Sequence, residues 1–273
     1  MYFCEGCFVL KTARHRAIAA MVQDGRSVVV NDLAERFQTS PITIRRDLIE
    51  LEERGLLSRT RGGAVPGQDM VLADGWARYE TISYSERERE NQRQKRAIAE
   101  AAAQFVSDGD CILINGGTTC RQFAEALRGH TNLHVVTNGL TIAMELASSQ
   151  RASVFLLPGS VDFHKMASVM RPSPDLLGQI TVRAAFLGVH AVSVNSGIGM
   201  LTAEEAAMNR AFIEAAGDVT ILVDSTKFRS QALFRIAHLD RINRIITDTG
   251  LPDDEADQIE KLGIAVIRAE LED

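Results

Sequence analysis

The chain has 273 residues, 45% hydrophobic and 24% charged, with 20 glycines, 6 prolines and a net charge of −6. Such a composition excludes a disordered, collagen-like or low-complexity protein, and roughly 150 residues per domain suggests two domains. No apolar run approaches the ~18 residues that span a bilayer, so no membrane partner is expected.

Residues 1–10 are mildly apolar but lack a basic flank and a small-residue cleavage site, which speaks against a secretory signal. Cys4 and Cys7 form a C-x-x-C, while Cys111 and Cys120 stand singly. A structural zinc site needs a second ligand pair at similar spacing, so neither a metal nor a cofactor is expected. Reduced thiols fit the cytoplasm. Charge is divided unevenly: residues 1–66 carry ten basic and eight acidic side chains, and the remainder carries twenty and twenty-eight. Arg45, Arg46, Arg54, Arg59 and Arg61 crowd into seventeen positions. An arginine-rich stretch is more often a solvated face than a polyanion site, so the surrounding pattern has to decide.

Residues 14–24 (RHRAIAAMVQD) place Ile18, Met21 and Val22 at helical spacing, with Gly25 as the stop. Asn31 is expected to cap a second short helix bearing Leu33, Ala34 and Phe37 on one face. After the turn QTSP, Ser40 is a suitable N-cap and Pro41 suits the first helical position. The third helix runs to about Arg54 and ends at Gly55. At 100° per residue Ile44, Leu48 and Leu51 share the core face. Ile42, Thr43, Arg46, Ile49 and Glu50 point away, with Arg45 on the flank. Two short helices joined by a tight turn, the second carrying Thr and Arg near its N-terminus, describe a helix-turn-helix. Arginine can pair bidentately with guanine, and Ile42 or Thr43 can meet a thymine methyl or a phosphate. The next segment, LLSRTRGGAVP, reads as a two-stranded wing whose Gly62-Gly63 supply a positive-φ turn, with Arg59 and Arg61 alternating along it.

The run SPITIRRDLIELEERGLLSRTRGGA closely resembles the amino-terminal signature of the DeoR/GlpR family of bacterial transcriptional regulators, chiefly through Arg45-Arg46-Asp47-Leu48 and Gly62-Gly63-Ala64. The resemblance implies a DNA-binding domain over 11–66, with Ser40, Thr43, Arg45, Arg46, Arg59 and Arg61 at the double-stranded operator. One departure is Arg61, where the family commonly has His.

Residues 67–94, with Trp76, Tyr79, Tyr84 and the charged run SERERENQRQK, read as a linker. From Lys95 to residue 270 helix and strand alternate. Ile98, Ala101, Ala102 and Phe105 mark a helix closed by Asp108-Gly109. Strands are expected at 111–115, 133–138, 153–158, 184–189, 219–224, 244–248 and 265–269. Helices are expected at 119–127, 139–147, 202–216 and 252–263. This is the pattern of an α/β domain with a mostly parallel sheet. Ligands in such sheets sit at the carboxyl ends of the strands. Three loops there have suitable chemistry: Asn115-Gly116-Gly117-Thr118-Thr119, Thr137-Asn138-Gly139 and Pro158-Gly159-Ser160. Glycines let a backbone approach a ligand, and a helix N-terminus favours an anion. Each loop taken alone is more often an ordinary turn.

The stretch from Lys95 to Thr119, the T-N-G at 137–139 and the D-S-T-K-F at 224–228 resemble the sensor domain of the same family, so the match spans about residues 11–270. That domain shares its fold with ribose-5-phosphate isomerase and typically takes phosphorylated sugars. The resemblance implies that Gly116, Gly117, Thr118 and Thr119 cradle a phosphate, that Asn115, Asn138 and Gly139 line the site, and that Asp224 and Lys227 close it. Three positions depart from the family: Asn115 where Asp is frequent, residues 168–172 in place of a Gly-Pro, and Asn209 where many members carry Lys. His164, Lys165 and Arg171 are further candidate donors.

Three functions are compatible with this organisation: a metabolite-sensing regulator, an isomerase or kinase with an appended module, and an assembly scaffold. The segment GVHAVSVNSGIG carries no acid to act as a general base, and no Walker loop, H-E-x-x-H or G-x-S-x-G is present. The expectation is a regulator rather than an enzyme. It would be a homodimer or homotetramer repressing a carbohydrate-metabolism operon.

Overall fold

The computed structural model describes residues 11–23, 28–53, 57–60, 62–65, 82–149, 151–170 and 178–271. The chain forms two compact units, Met1–Arg78 and Tyr79–Asp273.

The first unit contains α1 (Lys11–Gln23), β1 (Val28–Val29), α2 (Val30–Arg36), α3 (Pro41–Glu53), β2 (Ser58–Thr60) and β3 (Gly63–Val65). Ile18 and Val22 of α1, Leu33 and Ala34 of α2, and Ile44, Leu48 and Leu51 of α3 close around one apolar core. The helical spacing of these residues leaves that core as the one place where all three stripes leave water. A buried ion pair binds α1 to α3. Arg14 Nε donates to Asp47 Oδ2 at 2.6 Å and Arg14 Nη2 to Oδ1 at 3.1 Å, while His15 Nε2 lies 2.9 Å from Oδ1. Burial raises the affinity of the Asp47 carboxyl for a proton. The bonds and charges of Arg14 and His15 outweigh it and hold its pKa below the ordinary value.

Between α2 and α3 the chain turns at Gln38, with φ 48°, and the Thr39 N–H donates to Ala34 O at 2.9 Å. Ser40 caps α3: its Oγ accepts from the Thr43 N–H at 3.1 Å. Two details differ from the sequence expectation. Asn31 is not the cap of α2. The helix starts at Val30 after Val29, and the Val30 N–H finds Gly62 O at 2.8 Å, so a tertiary bond satisfies the helix start. The wing has three strands, ordered β1-β3-β2, because Val28 and Val29 pair with Ala64 and Gly63. Gly63 is needed there for closeness rather than for a left-handed turn: a Cβ on it would lie 1.7 Å from Val28 O.

The second unit opens with α4 (Tyr84–Arg89), whose Ser83 and Glu86 form a reciprocal capping box, and α5 (Gln92–Ala103). Then follow β4 (Cys111–Ile114), α6 (Thr118–Ala126), β5 (Leu133–Thr137), α7 (Leu140–Ser149) and β6 (Ala152–Leu156). The β7 (Ser160–Asp162) and β8 (Ala167–Val169) hairpin precedes β9 (Val182–Leu187), β10 (Ala191–Ser193) and β11 (Gly197–Met200). The chain ends with α8 (Ala203–Glu214), β12 (Ala216–Leu222), β13 (Phe234–Ala237), β14 (Arg244–Asp248), α9 (Asp253–Glu260) and β15 (Ala265–Ala269).

Seven strands form a parallel sheet in the order β15-β14-β12-β9-β4-β5-β6. Each face has its own core. Ile98, Phe123, Ile142 and Leu146 of α5, α6 and α7 pack on Ile112, Ile114 and Phe186, with Phe123 and Phe186 ring centroids 4.5 Å apart. Phe212 of α8 and Ile259 of α9 pack among Leu113, Leu187, Ile221 and Ile245 on the other face. The inner strands β4, β9 and β14 are largely buried on both sides, which is why they read as mostly apolar runs. From β4 the chain winds outward through β5 and β6. It then returns to β9, on the other side of β4, and winds outward again through β12, β14 and β15. The crevice between the carboxyl ends of β4 and β9 is therefore the topological switch point. A smaller antiparallel sheet, β10-β11-β13, had no distinct signal in the sequence.

Replacing Asp47 with Ala removes the carboxylate that Arg14 and His15 share in a buried place and should destabilise the first unit by about 3–5 kcal/mol. A chemical-denaturation series following this unit checks it. The depressed Asp47 pKa adds a sign: its contribution is present above the ordinary carboxylate value and is lost as pH falls through the folded value.

Candidate functional site

On the first unit, the outward face of α3 carries Ile42 (62% exposed) and Ile49 (39%), with Arg45 and Arg46 exposed beside them. Neither arginine has a hydrogen bond or ion pair among the described residues. Asp47, next in sequence, is buried in the α1 contact, so the Arg-Arg-Asp run divides between solvent and core. Thr43 Oγ1 lies 2.9 Å from Ser40 Oγ at the capped end. Arg59 is partly engaged: its N–H donates to Glu52 Oε1 at 2.7 Å, and its Nε lies 3.7 Å from Glu52 Oε2. Arg61 lies outside the described residues.

In the second unit the loops after β4 and β5 meet beside the switch point, but their side chains have different tasks. Asn115, at the end of β4, is 2% exposed. Its Nδ2 donates to Gly188 O at 2.8 Å and to Asn209 Oδ1 at 2.7 Å. Its Oδ1 accepts from Gly188 N–H at 2.8 Å and from Cys120 Sγ at 3.1 Å. Both amide protons and both lone pairs are taken up internally. Asn209 in turn donates to Glu205 O at 2.8 Å. Two of the positions that depart from the family pattern, Asn115 and Asn209, thus bond to each other.

Asn138 is also a tie: its Oδ1 accepts from Gly116 N–H at 2.8 Å and its Nδ2 donates to Ser168 O at 3.2 Å. Gly116 and Gly139 press together, and a Cβ on Gly139 would lie 3.1 Å from Gly116 Cα. These glycines let two adjacent loops close on each other. Gly117, by contrast, has nothing within 4 Å of a built Cβ. It leads into the first turn of α6, where N–H groups lack intrahelical acceptors. The Thr118 and Thr119 hydroxyls have no hydrogen-bond partner among the described residues. Of the third loop, Gly159 packs against β8, with a Cβ there 2.5 Å from Val169 O.

Asp224 follows β12 and caps the short 3-10 turn Ser225–Phe228. Its Oδ1 accepts from Thr226 N–H at 3.1 Å and from Asn91 Nδ2 at 3.2 Å. Lys227 sits in that turn, half-buried, and its ammonium has no ion pair among the described residues. Two groups missed in the sequence stand nearby. Lys95, 5% exposed, donates to Glu90 O at 2.6 Å and to Arg87 O. Burial drives its pKa down to about 8, with Asp224 opposing and Lys227 reinforcing the shift. His190, after β9, is pushed down to about 4 by burial and by the positive charges of Lys227 and Arg87. The common cause is a concentration of positive charge in a poorly solvated place. No spacing or motif marks these two residues, because they converge only when α5, β9 and the 3-10 turn pack together. Of the further candidates, Lys165 is bound to acids, 3.3 Å from Glu205 and 3.8 Å from Asp162. His164 offers its backbone oxygen to Arg87 Nη2 at 2.6 Å, and Arg171 lies outside the described residues. Among the described residues there is no cluster of metal-ligating side chains and no helix long and apolar enough to cross a membrane.

A winged helix-turn-helix followed by a parallel α/β unit with a cationic switch point defines a DNA-binding regulator with a sensor domain. The family comparison agrees: residues 14–67 match the DeoR-like helix-turn-helix domain and residues 90–249 the DeoR C terminal sensor domain. The chain belongs to the DeoR family of transcriptional regulators. It is 32% identical to the HTH-type transcriptional regulator GlpR of Haloferax volcanii, over 95% of this chain and 98% of that one. It is 28% identical to the glycerol-3-phosphate regulon repressor of Escherichia coli strain K12, over 89% and 92%. Among solved structures, ribose 5 phosphate isomerase A from Neisseria gonorrhoeae aligns with 50% of this chain and 53% of its own, at 20% identity and TM-score 0.36.

The depressed His190 pKa fixes a pH response. Between its ordinary value of 6.5 and about 4 the unfolded chain binds a proton that the folded one refuses. Stability should therefore fall across that window as pH is lowered, by up to about 3 kcal/mol. Urea denaturation at stepped pH should show this slope in the wild type and a flatter one in His190→Asn.

Proposed function

We propose that this regulator is a repressor of a carbohydrate-metabolism operon, released or modulated by a phosphorylated sugar or related metabolite. In this reading residues 11–66 bind operator DNA, residues 67–94 join the units, and residues 95–270 sense the effector. The observation that carries it is the pairing of two features. One is the arginine face of α3, where Arg45 and Arg46 have no partner among the described residues. The other is a cationic switch point in which Lys227 and the first turn of α6 have no anion among the described residues.

On the DNA side, α3 enters the major groove. Arg46 and Arg45 reach guanine edges or phosphates, and Thr43 and Ile42 meet a phosphate or thymine methyl. Ser40 holds the end of the helix that presents them, and Arg59 and Arg61 of the wing contact the backbone. On the effector side, Gly117, Thr118 and Thr119 take the phosphate on N–H groups and hydroxyls, with Lys227 as the facing point charge. Asp224 accepts a sugar hydroxyl. Asn115, Gly116, Asn138 and Gly139 act one step back, holding the loop in place. Asp224 Oδ1 accepts from Thr226 and Asn91, which fixes the carboxylate in place as a hydroxyl acceptor. A homodimer or homotetramer, acting in the cytoplasm, would place α3 on repeated half-sites. An effector favouring one arrangement then shifts DNA affinity by a coupling of about 1–3 kcal/mol.

Arg46→Ala should lower operator affinity by about 1–3 kcal/mol and reduce the slope of log affinity against log salt by about 1, measured by mobility shift on the DNA upstream of its own gene. Lys227→Ala should keep operator binding and lose the response to sugar phosphates. An effector response that survives in Lys227→Ala removes the assignment of the site.

A further inference from the structure

The seven-stranded sheet ends in β15 on one side and in β6 on the other, and the two edges are finished differently. In β15 the exposed residues are Ala265 and Arg268, and Arg268 is drawn back to Asp253 and to Leu251 O. A charge on an edge strand discourages a further strand from pairing with it. β6 reads Ala-Ser-Val-Phe-Leu, without charge or proline, and its exposed residues are Ser153, Phe155 and Leu156.

Phe155 is 50% exposed and Leu156 39%. Successive residues of a strand point to opposite faces. Ala152 and Val154 pack on the core under α5, α6 and α7, so Leu156 shares their face. Leu157 packs in the core of the other face, the one to which Phe155 points. Two large apolar neighbours on opposite faces share only the open edge between them, and a cover for both must come along that edge. The backbone agrees. Leu157 N–H donates to Thr137 O at 2.8 Å across the β5 pairing. Residues 153 and 155 therefore also turn their N–H and C=O groups toward β5, and 152, 154 and 156 turn theirs outward. Among the described residues no strand takes them up.

We propose that β6 pairs antiparallel with β6 of a second copy of the chain, about a two-fold axis at Val154, so that the two sheets join into one. In this register Val154 faces Val154 and Ala152 faces Leu156, each pair exchanging both N–H···O bonds, while Phe155 stands over Ser153 in the closer, non-hydrogen-bonded pair. Each of the two large exposed side chains thus meets a small one. Like charges do not oppose the pairing, since the strand has none and the two copies of the flanking Arg151 lie about 20 Å apart along it. A stable interface buries about 800 Å² on each partner, more than a strand about 17 Å long supplies alone. α7, which packs on β6, extends the surface. Its Glu145 is turned to Arg121 and Arg128, and at 100° per residue the opposite side carries Ala143 and Ala147, small enough for a close approach. The inference rests on the homo-oligomer reading above and gives it a surface and a symmetry. A two-fold pair of chains presents two copies of α3 to a two-fold operator.

The test is sedimentation velocity on the full-length protein. The wild type should sediment as an even-numbered oligomer. Leu156→Lys and Phe155→Lys, both at exposed positions, should sediment at half that mass with unchanged circular dichroism. A chain carrying Ser153→Cys and Phe155→Cys together should give a disulfide-linked dimer on oxidation, in excess of the wild type and of either single variant treated alike. The proposed pair brings their Cα atoms to about 4.5 Å, within reach of a disulfide. Amide exchange on the wild type needs no variant. Residues 152, 154 and 156 should exchange slowly in the oligomer and quickly on dilution to the monomer, while 153 and 155 stay slow in both. If the lysine variants keep the wild-type mass, the surface is wrong and the homo-oligomer reading stands. If the double cysteine variant gives no such excess, the register is wrong. If the amides of 152, 154 and 156 stay slow in the monomer, a segment of the chain itself covers the edge and the pairing is wrong. A wild type that is monomeric at every concentration removes the homo-oligomer reading and this inference with it.

Discussion

The Asn115 amide is the interaction on which the sensor unit's chemistry depends. It stands where the parallel sheet reverses its winding and joins the ends of β4 and β9 to α8 through Gly188 and Asn209. Both donors and both acceptors are used in a place closed to water, where an unpaired amide would be costly. The tie is neutral. An acid at 115 facing a lysine at 209 would fill the same gap with opposed charges, and the pair of asparagines does so without placing charge in the wall of the crevice. The positive field of Lys95, Lys227 and Arg87 is then met by few fixed negative charges, chiefly Asp224.

The same division between holding and contacting runs through the DNA-binding unit. Asp47 is enclosed by Arg14 and His15 and sets the position of α3 on α1. Arg45 and Arg46, immediately before it, face solvent. A recognition helix needs both, since base contacts are useful only when the helix is held at a defined depth and angle. The wing follows that logic: Gly63 allows β1 to pair with β3, and Gly62 caps α2 through its carbonyl.

A regulator must link two such rigid parts by something that yields. α4 is short, buries one side chain, and is otherwise held by polar bonds to α6, α7 and the β7–β8 turn. Elements fastened by apolar packing change little when a ligand arrives. Elements fastened by the groups a ligand competes for do change.

Much of this was legible in the chain itself. Helical spacing of Ile44, Leu48 and Leu51, the Ser40-Pro41 start, and apolar runs such as RIITD and AVIRA reported the helix-turn-helix and the parallel sheet, because local periodicity and capping are properties of neighbouring residues. The outward face of α3 followed from the same arithmetic. What only the tertiary structure decided is which polar groups are free. Asn115, Asn138 and Gly116 sit in a motif that suggests ligand contact, yet their bonds are completed by Gly188, Asn209 and Ser168, residues distant in sequence. Lys95 and His190 carry no local mark, and their perturbed proton affinities arise from burial beside charges brought in by other elements. β1 became a strand only because a glycine more than thirty residues later lets it approach. Periodicity fixes what a segment can be; the remaining polar valences are assigned by long-range contacts, which no local pattern encodes.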